Sequence, residues 1–127
     1  MCIFAPNFHI MKLLTFILFL FPVLVQAQQE PKKEVGMASF YADKFVGRKT
    51  ASGEVYRHDS LTAAHKTLPF GTKLRITHVA NGRSVVVRVN DRGMKGLNRV
   101  VDLSRSAAEQ LGMISSGVAK VEVEILK

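Results

Sequence analysis

Beyond residue 30 the side chains best suited to moving protons are four aspartates, Asp43, Asp59, Asp91 and Asp102, and three histidines, His58, His65 and His78. Asp91 closes the run Val85-Val-Val-Arg-Val-Asn-Asp91 and opens Asp91-Arg92-Gly93. A carboxylate at the end of a strand is held by a rigid element while its head faces outward, which suits a general acid or base. The plainer alternative is an Asp that starts a turn before Gly93, paired with Arg92. Asp102, in Val100-Val-Asp-Leu-Ser104, invites the same two readings, with hydrogen bonds to a following helix N-terminus as its structural role. His65 follows Thr62-Ala63-Ala64, small residues that leave room for a ligand, although a histidine so placed also serves as a hydrogen-bonded core residue. Glu54 follows Thr50-Ala-Ser-Gly53 in a loop, catalytic or simply solvated. The chain has no Cys-x-x-Cys, His-x-x-x-His, Gly-x-Ser-x-Gly or glycine-rich phosphate loop. Neither a cofactor nor a metal is therefore expected.

The elements that must position these residues are mostly strands. Leu74 and Ile76 alternate with polar neighbours, as do Val85, Val87 and Val89, and Asn81-Gly82 between them is a strong hairpin signal. Val121, Val123 and Ile125 repeat the pattern, Val100 to Leu103 predicts a shorter strand, and Met37 to Tyr41 another. One helix is expected over Arg105 to Leu111, capped by Ser104, stopped by Gly112, with Ala107, Ala108 and Leu111 on its apolar face. Short half-polar strands and a single helix predict a small closed β-barrel, which also removes exposed strand edges.

Of the 60 apolar residues in this 127-residue chain, 20 fall within the first 27. After Met11-Lys12, 11 of the 13 residues from Leu13 to Val25 are apolar, and Val25-Gln26-Ala27 follows. A basic start, a short apolar run and small residues at −3 and −1 predict a signal peptide over 1–27, cut after Ala27, with Met11 fitting the start better than Met1. Thirteen residues are too few to span a bilayer core. Cys2 lies upstream of that run and Gln28 follows the cut, so no lipid anchor is expected. Residues 28–34 read as a short polar tether and 35–127 as one domain. The exported chain keeps 17 basic and 10 acidic residues, a charge of +7. Export makes nucleic acid a poor partner, and the charge suits an acidic surface such as the cell envelope.

Taken in order, Gly36-Met-Ala-Ser-Phe-Tyr41, Thr50-Ala-Ser-Gly-Glu54, Thr62-Ala-Ala-His65, Leu68-Pro-Phe-Gly-Thr72, Val89-Asn-Asp-Arg-Gly93 and Val101-Asp-Leu-Ser104 resemble the rare lipoprotein A family of septal ring lytic transglycosylases. The resemblance runs from about Val35 to Leu126. It implies a six-stranded double-psi β-barrel with one or two short helices. It also implies cleavage of the β-1,4 bond between N-acetylmuramic acid and N-acetylglucosamine in peptidoglycan, leaving 1,6-anhydro ends on strands that lack stem peptides. By the same resemblance Asp91 is the catalytic acid and His65 the essential histidine. Glu54 matches a position at the cleft edge and Asp102 an acidic position that matters in the related expansins, and both are expected to bind substrate with Ser39, Tyr41, Thr50 and Arg92. Three departures from the family pattern are expected: Met94 stands where proline is usual after Asp-Arg-Gly, no lipid-bearing cysteine is expected after the cut, and no glycan-binding repeat domain is expected beyond the barrel.

The implied mechanism uses one carboxyl twice, as acid toward the glycosidic oxygen and then as base toward the muramoyl 6-hydroxyl, with His65 orienting Asp91. Such a protein is expected to act as a monomer in the periplasm or outside the cell. Two rivals stay open. One is a non-catalytic, expansin-like polysaccharide-binding module whose sugar-stacking faces would come from Phe40, Tyr41, Tyr56 and Phe70. The other is an inverting hydrolase that pairs Asp91 with a second carboxylate.

Overall fold

A computed structural model describes residues 32–93 and 98–126. The proposed signal peptide, most of the tether and Met94 lie outside the described residues. Six strands, β1 (Lys33–Phe40), β2 (Thr62–Ala64), β3 (Lys73–His78), β4 (Ser84–Asp91), β5 (Arg99–Leu103) and β6 (Ala119–Leu126), close into a barrel in the order β1-β5-β2-β4-β3-β6. The pairs β1/β5 and β2/β4 are parallel and the other four antiparallel. This is the six-stranded double-psi barrel that the sequence motifs imply. A helix, α1 (Arg105–Leu111), and a 3-10 turn at Asp43–Phe45 complete it.

Alternation works as expected in the hairpin. Leu74, Ile76, Val85, Val87 and Val89 are buried, and they pack with Val101, Leu103, Val121 and Val123 to fill the barrel. Gly82 turns the chain at φ +74°, the left-handed backbone for which glycine is suited. Strand β2 is absent from the pattern-based reading because three small residues, Thr62, Ala63 and Ala64, carry no alternation. All three are buried, between β4 and β5. Strand β1 starts at Lys33, inside the stretch read as tether, because Lys33 and Glu34 pair with Glu124 and Val123 of β6. Gly36 must stay glycine, since a Cβ there would meet Val100 Cγ1 at 2.3 Å.

The helix keeps its predicted limits, and Ala107, Ala108 and Leu111 are buried on its inner face. Gly112 ends it at φ +71°, its N–H donating to the carbonyls of Ala108 and Glu109. Its first turn is satisfied differently from expectation. Ser104 is the N-cap residue, but its hydroxyl accepts the Thr62 N–H at 3.3 Å instead of a helix amide. The Arg105 N–H donates to Tyr56 Oη at 3.2 Å and the Ser106 N–H to the His58 carbonyl at 2.9 Å. A buried aromatic from a distant loop therefore does the capping, because Ser104 is already committed to β2. None of the described helices is long and apolar enough to cross a membrane.

Two bulges decide where the site forms. On β4 the partners of Ala63 and Ala64 are Val89 and Asp91, so Asn90 is an extra residue. On β5 the partners of Met37 and Ala38 are Arg99 and Val101, so Val100 is extra. Each bulge breaks strict alternation and re-aims the side chains after it.

Candidate active site

Asp91, Ala64, Asp102 and Ser39 form one row across four adjacent strands. Asp91 of β4 aligns with Ala64 of β2, Ala64 with Asp102 of β5, and Asp102 with Ser39 of β1. Two strand spacings separate the Asp91 and Asp102 backbones, roughly 9–10 Å. Ala64 is the paired residue between them, and Gly93 packs beside it, where a Cβ would lie 3.2 Å from the Ala64 methyl and 3.5 Å from Asp102 Oδ2. Both carboxylates line a cleft of about 590 Å³, with Ser39, Tyr41 and Arg92.

Alternation alone would leave Asp91 on the core face with Val85, Val87 and Val89. The extra residue at Asn90 removes that constraint. Asn90 also ties down the neighbouring turn: its carbonyl accepts the Ser52 N–H at 3.2 Å. Across this turn, whose Gly53 has φ +94°, the Ala51 N–H donates to Asp91 Oδ1 at 2.8 Å. The Arg92 N–H donates to the same oxygen, also at 2.8 Å. Tyr41 Oη donates to Asp91 Oδ2. One carboxyl oxygen is thus held by two fixed amides, while the other meets a single hydroxyl that can rotate.

Tyr41 is itself positioned by aromatic packing. Its ring stacks on Tyr56 at 4.3 Å and 12°, and Phe45 meets its edge at 5.6 Å and 82°. Tyr56 is 2% exposed, so it is a core support beneath Tyr41 and presents no sugar-stacking face. Phe40 packs against the core, whereas Phe70 is exposed. Burial and the Asp91 hydrogen bond push the Tyr41 phenol far above its ordinary value near 10, and burial also raises Tyr56. These are the only two tyrosines in the chain. Each holds its proton more tightly folded than unfolded. The stability they supply is complete below about pH 10, the unfolded value, and is lost as pH rises toward the folded values. In a 295 nm titration, the native protein is expected to show less tyrosinate at pH 10 than guanidinium-unfolded protein, which shows about half of its full change.

Asp102 does not cap the helix. Ser39 Oγ donates to its Oδ1, Arg99 Nη1 donates to Ser39 Oγ at 3.1 Å, and Arg99 Nε lies 3.7 Å from Asp102 Oδ1. Arg99 was missed by sequence reasoning for a definite reason. Residues three apart on a regular strand face opposite sides, and the bulge at Val100 brings Arg99 and Asp102 to the same side. Phe45, Arg48 and Lys49 are further lining residues without a sequence signal.

Arg92 points away from the Asp91 carboxyl. Its Nη1 donates to the His65 carbonyl at 3.1 Å, and its guanidinium lies 4.2 Å from the Phe70 ring centroid. His65 meets Asp91 through the backbone only, its N–H donating to the Asp91 carbonyl at 3.0 Å. The buried His65 ring turns the other way. Nδ1 accepts the N–H groups of Thr67 and Leu68, both at 3.2 Å, which leaves Nε2 to donate to Glu34 at 3.4 Å. None of its described hydrogen bonds reaches the Asp91 side chain, contrary to direct orientation by the imidazole. The ring lines a second groove, of about 770 Å³, with Arg99 bordering both spaces.

Glu54 and Thr50 also lie apart from the cleft lining. The Glu54 carboxylate takes a bidentate contact from Arg88, with Nη2 to Oε2 at 2.9 Å, and this contact holds it below the usual carboxylate range. Thr50 Oγ1 donates to the Glu54 carbonyl at 2.9 Å and is spent inside the turn. Among the described residues no group of three or more His, Cys, Asp or Glu could hold a metal ion.

Comparison with known proteins agrees with this architecture. Two solved structures share the fold: the Streptomyces papain inhibitor, with TM-score 0.62 and 23% identity over 76% of this chain and 96% of that one, and a variant Clavibacter michiganensis expansin crystallised with cellohexaose, with TM-score 0.60 and 20% identity over 76% and 51%. The chain is 58% identical over 93 residues to the probable endolytic peptidoglycan transglycosylase RlpA of Nostoc sp., covering 72% of this chain and 25% of that protein. It is 52% identical over 92 residues to the endolytic peptidoglycan transglycosylase RlpA of Pasteurella multocida, and 53% over 91 residues to that of Campylobacter jejuni. Each alignment covers 72% of this chain but only 31% and 33% of these relatives, so the chain spans a third or less of these three proteins. Residues 33–123, nearly the whole barrel, match the lytic transglycolase family, and the chain belongs to that family.

Proposed function

We propose that this barrel is an endolytic peptidoglycan transglycosylase that acts on exported cell-wall glycan strands lacking stem peptides. The observation that carries the reading is the asymmetric hold on Asp91. With Oδ1 occupied by the Ala51 and Arg92 amides, a transferable proton belongs on Oδ2, beside the rotatable Tyr41 hydroxyl. Asp91 Oδ2–H donates to the glycosidic oxygen as the bond to the muramoyl anomeric carbon breaks and an oxocarbenium-like state forms. The resulting carboxylate takes the proton of the muramoyl 6-hydroxyl, whose oxygen attacks that carbon and closes the 1,6-anhydro ring. Intramolecular attack requires positioning and no bound water. Tyr41 can donate to the carboxylate or accept from the acid, following Oδ2 through both steps.

Asp102, with Ser39 and Arg99, forms the opposite wall, where hydroxyls of the neighbouring sugar find donors and acceptors. Glu54, Thr50 and His65 are positioning residues. The first two shape the turn that carries the Ala51 amide. His65 braces the 65–68 loop, and its carbonyl holds the Arg92 side chain. The apolar segment near the N-terminus supports export to the wall, and the fold supports a monomer.

End-group mass spectrometry of peptide-free strands tests the reading. Anhydro ends are expected. Reducing ends would establish hydrolysis instead, and intact strands that still bind the protein would establish an expansin-like binding module.

A further inference from the structure

We infer that Arg48 and Lys49 form a carboxylate-reading subsite at the rim of the Asp91 cleft, which selects the lactyl carboxylate of muramic acid and sets the direction in which the glycan lies. The inference rests on the glycan-cleaving reading above. Arg57, Arg75, Arg88, Arg99 and Arg105 each lie against a carboxylate of the chain. Arg48 and Lys49 differ: among the described residues neither side chain has a carboxylate within ion-pair distance, although both line the cleft that holds Asp91 and Asp102.

The segment that carries them is fixed. The Arg48 N–H donates to the Phe45 carbonyl at 3.0 Å, the Arg48 carbonyl accepts the Tyr56 N–H at 2.8 Å, and Lys49 pairs with Val55 across the turn. The Arg48 guanidinium lies 5.6 Å from the Phe45 ring centroid, Phe45 meets the edge of Tyr41, and Tyr41 bonds Asp91. A continuous row thus runs from the cation over two rings to the carboxyl. Lys49 is two residues from Ala51, whose amide holds Asp91, so no more than about 7 Å of chain separates them.

Electrostatics gives the row a direction. An anionic substituent is repelled by the Asp102 carboxylate and drawn to Arg48 and Lys49, so a sugar acid lodges at the rim while a neutral bridging oxygen faces Asp91. In a strand of alternating N-acetylglucosamine and N-acetylmuramic acid, the lactyl group supplies one such acid per disaccharide. Neutral polymers lack it and gain nothing from the rim.

The test compares peptide-free strands with the same strands whose lactyl carboxylates have been converted to methylamides. Two exposed charge contacts predict a KM roughly tenfold lower for the acidic strands. In R48Q/K49Q the KM for acidic strands is expected to rise by about that factor, with kcat within about twofold and the methylamide KM unmoved. Equal KM values for the two substrates, or a preference untouched by the double substitution, would overturn the subsite and leave the cleavage reading intact. If the wild-type protein cuts neither substrate, the transglycosylase reading fails, and strand dissociation constants measured by calorimetry decide the subsite alone. A preference for acidic strands that R48Q/K49Q abolishes supports it, and equal affinity for both strands overturns it.

Discussion

Asp91→Asn is expected to lower the rate of strand cleavage by about 10³-fold while the barrel stays folded. The substitution keeps the shape of the side chain. The amide oxygen still accepts from Ala51 and Arg92, and the amide nitrogen can donate to Tyr41, so each neighbour retains a partner. What disappears is the proton that the carboxyl gives to the glycosidic oxygen and recovers from the 6-hydroxyl. Anhydro-end production followed by mass spectrometry, beside a urea unfolding curve, separates chemistry from folding. Retention of more than a tenth of the wild-type rate would show that another group supplies the proton. Asp102→Asn is the informative companion, because Asp102 sits across Ala64 in the same row and its loss should weaken substrate contact more than turnover.

The second large effect is structural at its origin. Tyr56→Ala is expected to cost about 3–5 kcal/mol of stability, the range for removing a buried aromatic. The side chain does three jobs: its ring lies under Tyr41, its hydroxyl accepts the Arg105 N–H of α1, and the same hydroxyl meets His58 Nδ1 at 2.8 Å. Tyr56→Phe keeps the ring and loses only the hydrogen bonds, so about 1–2 kcal/mol is expected. Urea midpoints measure both. Turnover separates the ring from the hydroxyl: Tyr56→Phe should keep kcat near wild type, whereas folded Tyr56→Ala should lose kcat because Tyr41 no longer has a surface to stack on. Equal kcat for the two variants would mean that stacking does not orient Tyr41.

The features legible in the sequence are those encoded within a few residues. Asn81-Gly82 between two alternating runs specifies a hairpin, and Gly112 after Leu111 specifies a helix stop. The Asp91-Arg92-Gly93 motif locates a carboxylate at a strand end. Features that depend on distant pairing were not legible. Tyr41 lies 50 positions from Asp91, and only barrel closure brings them together. Ser104 has the sequence of a helix cap, but Thr62, 42 positions away, claims its hydroxyl. His65 sits in a family motif beside Asp91, and its ring is nevertheless turned toward Glu34 by two amides of its own loop. Arg99 and Asp102 become partners through an extra residue whose presence no local pattern announces.

That the extra residue at Asn90 sets the facing of Asp91 makes this site sensitive to chain length as well as to side-chain identity. Loss of Asn90 would restore an unbroken ladder with β2, leaving Asp91 directly after Val89 and still opposite Ala64. It would take away the carbonyl that holds the Ser52 N–H, and with it the anchor of the turn whose Ala51 amide grips the carboxylate. A change in length by a single residue can therefore loosen the grip on the carboxylate while every strand of the barrel stays paired.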